Sequence, residues 1–140
     1  MKAKEFLQQV EKLDRLIRNK MIEVQQWIEI AESTTANMMG ERVQSTSNPH
    51  KMADAICTYI DLQGEIRKDV AALVEKRKDV ISVIEQLDTL EYDILHKIYV
   101  QHITLQDVAE EYDRTYSWVT TAHGRALKSV QIVLDRRGDT

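Results

Sequence analysis

Apolar residues recur at steps of three and four through most of the chain, which is the spacing of helices that each bury one face. Between residue 3 and about residue 31 this spacing runs without a break and predicts a long amphipathic helix. The predicted buried stripe consists of Phe6, Val10, Leu13, Ile17, Met21, Val24, Ile28 and Ala31.

A second long helix is predicted to begin at Asn48-Pro49, because Asn suits a helix cap and Pro suits the first helical position. Its apolar residues alternate between steps of four and three, which is typical of a coiled-coil seam. Gln63 and Arg77 either set the register of this seam or mark places where it meets solvent. The seam positions are Met52, Ile56, Tyr59, Gln63, Ile66, Val70, Leu73, Arg77, Val80, Ile84 and Leu87.

The two long helices are expected to pair as an antiparallel hairpin, joined by a polar segment from about residue 32 to residue 48. The first helix is shorter than the second, so part of the seam would face water without a further partner. We therefore expect a homodimer through the long helices, most simply with two-fold symmetry.

Residues 88 to 134 have the pattern of three shorter helices separated by two tight turns. Asp88, Thr104 and Thr115 each precede an apolar run, where a side-chain oxygen can accept hydrogen bonds from the first helical N–H groups. The last two helices have the spacing of a helix-turn-helix, with the small residue Ala109 at their close approach. The residues predicted to face inward are Leu90, Ile94, Leu95, Ile98, Val108, Tyr112, Val119, Ala122, Ala126, Leu127, Val130, Val133 and Leu134.

These patterns predict an all-α protein with two parts. Residues 1–87 would form a long helical hairpin or coiled coil, and residues 88–140 a three-helix module that contains the helix-turn-helix. A charged content of 30%, only 6% aromatic residues, four Gly and one Pro agree with helices rather than strands.

In a helix-turn-helix, the second helix enters the major groove of DNA, and here that helix would start at about Tyr116. Hydroxyl groups near its start can hydrogen-bond base edges, whereas Arg and Lys suit phosphates. Capped helix pairs also occur in bundles that never bind DNA, so a purely structural role stays open. The candidate DNA-binding residues are Arg114, Thr115, Tyr116, Ser117, Thr120, Thr121, His123, Arg125 and Lys128.

The charges are divided between the two halves of this module. Residues 114–137 hold five Arg or Lys and one Asp, whereas residues 88–113 hold seven Asp or Glu and one Lys. The net charge of the whole chain is −4, which argues against a protein covered in nucleic acid but allows a local basic surface.

Nothing in the sequence indicates catalysis. The four His residues lack the spacing of a zinc site, no Gly-rich phosphate loop is present, and Cys57 is the only cysteine. We therefore expect no catalytic residue, no metal site and no cofactor. A lone thiol and a charged N-terminal segment favour a cytoplasmic location, and no apolar run reaches the roughly 20 residues that a membrane helix needs.

About the last 50 residues resemble the C-terminal, promoter-reading module (domain four) of bacterial sigma factors. Asp113 and Arg114 replace the usual Gly and Val, and the Arg, Glu and Gln that often read bases in that family are absent. The resemblance implies the same helical arrangement rather than the same sequence preference. The matching positions are Thr104-Leu105, Val108-Ala109, Tyr112, Thr115, Val119, Ala126-Leu127 and Val130.

The complete layout resembles small phage and prophage proteins of Gram-positive bacteria, among them the RinA- and ArpU-like late-gene transcription regulators. The resemblance implies a phage-encoded, sequence-specific regulator that binds double-stranded DNA. One alternative is an adaptor that binds RNA polymerase or a sigma factor through the long helices, with the C-terminal module as a packing unit. Another is the small DNA-recognition subunit of a phage packaging machine.

Overall fold

The computed structural model describes residues 1–40 and 47–138, apart from the side chains of residues 34–40 and 47–49. The all-α prediction is confirmed, and these described ranges contain no strand. The helices are α1 (Ala3–Gly40), α2 (Ser47–Ile84), α3 (Thr89–Leu95), α4 (Leu105–Glu111) and α5 (Tyr116–Arg137), with a π-helical turn (His96–Val100) directly after α3.

The polar segment predicted to connect the long helices is partly helical. α1 continues through residues 32–40, and α2 begins at Ser47; residues 41–46 of the predicted connection lie outside the described residues. Ser, Thr and Asn lower helix propensity by only about 0.5 kcal/mol per residue relative to Ala, which is too little to end a helix that is already formed.

The chain forms two compact units, and their boundaries fall inside the long helices. The first unit contains Met1–Asp14 and Ala72–Thr140, and the second contains Arg15–Ala71. This division differs from the predicted boundary between residues 87 and 88. The reason is that the beginning of α1 and the end of α2 share a core with the C-terminal helices.

That shared core unites residues that are far apart in the sequence. Leu7 and Val10 of α1, Ile84 of α2 and Val130 of α5 have at most 1% of their surface exposed. Burying one such aliphatic side chain stabilises the fold by about 1.5–3 kcal/mol. The core therefore fixes α5 against the start of α1 and the end of α2. Its other buried members are Ala3, Phe6, Val80, Val83, Leu95, Tyr99, Val100, Ala126, Val133 and Leu134.

The π-helical turn was not predicted by the sequence. The N–H of Gln101 donates to the carbonyl of His96 at 3.0 Å, which closes a wider turn than the α-helix has. As a result, the adjacent residues Tyr99 and Val100 are both buried. Leu90, which was predicted to face inward, is 40% exposed at the start of α3.

In the second unit, α1 and α2 contact each other through an ion pair. Lys20 Nζ lies 2.6 Å from Asp69 Oδ2 and 3.6 Å from Glu65 Oε2. The hydrogen bond to Asp69 is the main reason why the pKa of Lys20 is raised, because it favours the charged ammonium. Ile17 and Ala55 are the buried apolar residues described in this unit.

Gln63 and Arg77 of the predicted α2 seam are exposed, in agreement with the alternative that they mark places where the seam meets solvent. The seam prediction is wrong at Val70, which is 42% exposed, whereas Leu62 and Asp69 are half-buried. Met21, predicted in the buried stripe of α1, is 57% exposed. Steps of three and four along a helix can alternate in more than one order, and each order places different residues on the buried side. Asp69 is half-buried beside Lys20, and apolar spacing does not reveal this because Asp is polar.

Candidate nucleic-acid interface

The turn between α4 and α5 is held by caps on both sides. Thr104 caps α4 by accepting a hydrogen bond from the N–H of Asp107, and Thr115 caps α5 by accepting one from the N–H of Trp118. Between these caps, the N–H of Arg114 donates to the carbonyl of Ala109 at 2.9 Å. The caps predicted at Asp88, Thr104 and Thr115 are confirmed, whereas α2 begins at Ser47, so Asn48 lies inside that helix and is not its cap.

The backbone of this turn passes through the left-handed region at Asp113, which has φ of 52°. This is the position at which the resemblance to sigma factors leads one to expect Gly. Asp tolerates a left-handed conformation better than most residues, although less well than Gly. The turn is therefore retained with a modest conformational cost.

A small buried cluster joins α3, α4 and α5. Ile94, Val108 and Val119 are fully buried, and Ala109 is 2% exposed between them. The small side chain of Ala109 allows the backbones of α4 and α5 to approach, as the sequence predicted. Trp118 is half-buried at the margin of this cluster.

Polar contacts hold α4 against α3 and the π-helical turn. The Tyr112 hydroxyl donates to the Asp93 carboxylate, and Lys97 Nζ lies 2.9 Å from Glu111 Oε2. Burial, together with the bond to Asp93, raises the pKa of Tyr112, so the phenol stays protonated and remains a donor. The position of α4, which supports the start of α5, is thereby fixed.

Four of the predicted DNA-binding residues lie on one exposed face of α5. Ser117, Thr121, Arg125 and Lys128 are exposed and are separated by four, four and three residues, which places them along one side of the helix. Arg125 and Lys128 form no ion pair with any residue that the structure describes. These two charges are therefore available to an anion.

Arg114, Thr115 and Tyr116 are exposed at the beginning of the same helix. The Arg114 guanidinium carbon lies 5.3 Å from the centre of the Trp118 ring, which is a cation–π distance. Tyr116 is 52% exposed. The stacking orients Arg114 beside the start of α5 and leaves its charge accessible.

His123 is not placed on this face. It is half-buried, and its Nε2 lies 2.7 Å from the hydroxyl of Tyr99 in the π-helical turn. The prediction that His123 faces DNA is therefore not supported by its position, because in the wheel of α5 it lies between the buried residues Val119 and Ala126.

The threonine hydroxyls are partly engaged inside the helix. The hydroxyls of Thr120 and Thr121 each donate to the carbonyl of Ser117 at 2.9 Å, and Thr120 is half-buried. Thr115 uses its oxygen as the cap. Among the predicted hydroxyl residues, Tyr116 and Ser117 therefore retain the hydroxyl groups that are least committed to the protein.

A cleft of about 450 Å³ lies between α3 and the first half of α5. Asp88 and Glu91 contribute carboxylates to its wall, beside Thr121 and Arg125. Burial raises the pKa of Glu91, and the nearby Ser129 hydroxyl partly offsets this. The sequence predicted a cap at Asp88 but gave no signal that Asp88 and Glu91 border the candidate surface, because that depends on how α3 packs on α5.

The described residues contain no group of three or more His, Cys, Asp or Glu side chains that could hold a metal ion. None of the described helices is long and apolar enough to cross a membrane. Comparison with protein-family models, with characterised proteins and with solved structures gives no match for this chain.

Proposed function

We propose that this protein is a transcription regulator that binds double-stranded DNA through the exposed face of α5. The observation that carries the proposal is the row of Ser117, Thr121, Arg125 and Lys128 on one side of a capped helix, with both cations unpaired by described residues. Such a helix fits the major groove, which is wide enough to admit it.

The residues of this surface suit two kinds of contact. Arg114, Arg125 and Lys128 supply charge for phosphates, which gives affinity without sequence information. Tyr116 and Ser117 at the start of α5 can hydrogen-bond base edges. The methyl group of Thr121 suits a thymine methyl, even though its hydroxyl is engaged by Ser117.

We further propose that the regulator is phage-encoded and that its C-terminal module is sigma-like. Support comes from the sequence resemblance and from the turn at Asp113, which adopts the left-handed conformation that suits the Gly usual at this position in the family. The caps at Thr104 and Thr115 stand at matching positions of the resemblance.

Selection of binding sites from a random duplex library tests this function with the full chain. We expect the wild type to enrich a defined sequence, and Ser117→Ala or Thr121→Ala to shift the base preference at one or two positions. Lys51→Ala, an exposed lysine on α2, is the matched control and should enrich the wild-type sequence. Failure of the wild type to enrich any sequence would exclude sequence-specific reading.

A second candidate function is protein binding through the long helices, as a homodimer or as an adaptor for RNA polymerase. It is favoured by apolar side chains of the second unit that are between 42% and 58% exposed. Light scattering distinguishes a dimer from a monomer, and co-purification with polymerase in the absence of DNA would favour the adaptor. The exposed residues are Leu16, Met21, Ile22, Ile30, Ile60 and Val70.

A further inference from the structure

The first turn of α1 lies against the second half of α5, although 128 residues separate them. The backbone N–H of Ala3 donates to Gln131 Oε1 at 2.8 Å, and Gln131 Nε2 donates to the carbonyl of Met1 at 3.5 Å. Ala3 itself is only 5% exposed and belongs to the core that contains Ala126 and Val130. The start of α1 is therefore fixed at one edge of α5.

This contact places two lysines beside the candidate DNA surface. Lys2 borders a shallow depression together with Gln131, and Lys4 lies near His123, where its charge adds to the effect of burial in lowering the pKa of that imidazole. Both lysines are exposed, and neither forms an ion pair with any residue that the structure describes. Their charges therefore lie at the edge of α5 that carries Gln131 and His123.

Carboxylates also lie near the same edge, and they differ in how they are engaged. Asp135 Oδ1 accepts a hydrogen bond from Gln131 Nε2 at 3.0 Å. Glu5 is exposed and borders the depression that contains Lys2. The negative charge of Glu5 therefore offsets part of the positive charge of the two lysines in solvent.

The opposite edge of α5 has a different character. There the cleft between α3 and α5 carries the carboxylates of Asp88 and Glu91, close to Arg125. A phosphate approaching that edge meets negative charge as well as positive charge. The edge with Lys2 and Lys4 carries two cations beside its carboxylates, so a further phosphate contact meets positive charge there.

We propose that Lys2 and Lys4 form a phosphate-binding flank, which extends the footprint of α5 on DNA along one strand. This inference rests on the proposed DNA-binding function and deepens it, because it assigns the sugar–phosphate backbone to a segment outside the C-terminal module. The flank contributes affinity and orientation, and it carries no sequence information.

The test is the salt dependence of binding by the full chain to a fluorescein-labelled duplex of the enriched sequence. Each phosphate contact contributes about 0.9 to the slope of log K against log salt concentration, so Lys2→Gln/Lys4→Gln should lower the slope by about 1.8. Lys2→Arg/Lys4→Arg should keep the wild-type slope, because it retains both charges. Glu5→Gln should strengthen binding at low salt.

Lys51→Gln/Lys68→Gln is the matched control, since it removes two exposed lysines of the second unit. An unchanged slope in Lys2→Gln/Lys4→Gln, with normal wild-type binding, would overturn the flank and leave the proposed function intact. An equal decrease of the slope in the control variant would also overturn the phosphate-binding flank, because the effect would then depend on the total charge of the protein. A wild type that shows no salt-dependent binding would overturn both proposals.

Discussion

The hydroxyl of Tyr99 lies 2.7 Å from Nε2 of His123, and the two rings are stacked with their centres 5.7 Å apart. This pair joins the π-helical turn to the middle of α5. Burial lowers the pKa of His123, with a smaller contribution from Lys4, and burial raises the pKa of Tyr99 to about 12. Both side chains are therefore uncharged at neutral pH.

The Tyr99–His123 pair makes stability depend on pH in the acidic range. Since the pKa of His123 is lower in the folded state than its ordinary value of 6.5, the unfolded state binds more protons between the two values. The stabilisation is complete above about pH 6.5 and is lost as pH falls towards the folded-state pKa. Urea unfolding at pH 7 and pH 5 measures the free energy of unfolding. Its decrease between these two pH values should be smaller for His123→Gln than for the wild type.

His50→Gln provides the control for that measurement, because His50 is an exposed histidine of α2 with no hydrogen bond or ion pair to the part of the chain that the structure describes. It should retain the pH dependence of the wild type. If His123→Gln loses as much stability between pH 7 and pH 5 as the wild type does, burial of a neutral His123 is not responsible.

Asp113→Gly should stabilise the protein. Asp113 has φ of 52°, which Gly adopts without steric cost, so the free energy of unfolding should rise by up to about 1 kcal/mol. Asp113→Val should lower it, because a β-branched residue is strongly disfavoured in this region. Chemical denaturation measures both changes, and equal stabilities for the Gly and Val variants would contradict the left-handed turn.

Thr115→Ala should destabilise the protein by about 1 kcal/mol, because it removes the oxygen that accepts the hydrogen bond from the N–H of Trp118. Thr104→Ala removes the equivalent cap of α4 and should have an effect of the same size. Thr115→Ser keeps the hydroxyl and serves as the conservative control. A Thr115→Ala variant as stable as the wild type would mean that this cap does not contribute.

The caps and the inward positions of the C-terminal helices could be predicted because they depend on local chemistry. Thr115 followed by an apolar run specifies a helix start, and Val119, Ala126 and Val130 recur at helical spacing. The remaining residues of α5 were then assigned to its exposed face. Ser117 does lie on that face, whereas His123 is half-buried against Tyr99. A histidine fits either face, and only the position of Tyr99 decides between them.

Features that depend on contacts between distant segments could not be predicted. The packing of Ala3 on Gln131 joins the two ends of the chain, and no spacing along the sequence indicates it. The half-buried position of Asp69 in α2 could not be predicted either, because it depends on the ion pair with Lys20 of α1. Periodicity identifies a helix and its apolar face, whereas the partner of that face is a property of the whole fold.

Glu91→Gln should strengthen DNA binding and should not reduce stability at neutral pH. Burial raises the pKa of Glu91, so its stabilising contribution is present below the ordinary value of 4.5 and is lost as pH rises through the folded-state pKa. The amide of Gln does not ionise, so the variant does not lose this stability as pH rises. The substitution also removes a negative charge from the cleft beside Arg125. Fluorescence anisotropy and urea unfolding at pH 7 measure the two effects.

Glu85→Gln is the control, since it neutralises an exposed glutamate just after α2. Its DNA affinity should rise less than that of Glu91→Gln. Weaker binding by Glu91→Gln would show that the carboxylate supports the interaction with DNA and does not oppose it.

We propose that the exposed face of α5 binds DNA through Arg125 and Lys128. The most direct test measures the dissociation constant of the full chain for an enriched duplex and for a random duplex, over a series of KCl concentrations. We expect Arg125→Ala/Lys128→Ala to weaken binding to both duplexes and to lower the salt slope by about 1.8 relative to the wild type. A double variant with the affinity and the slope of the wild type would contradict the claim.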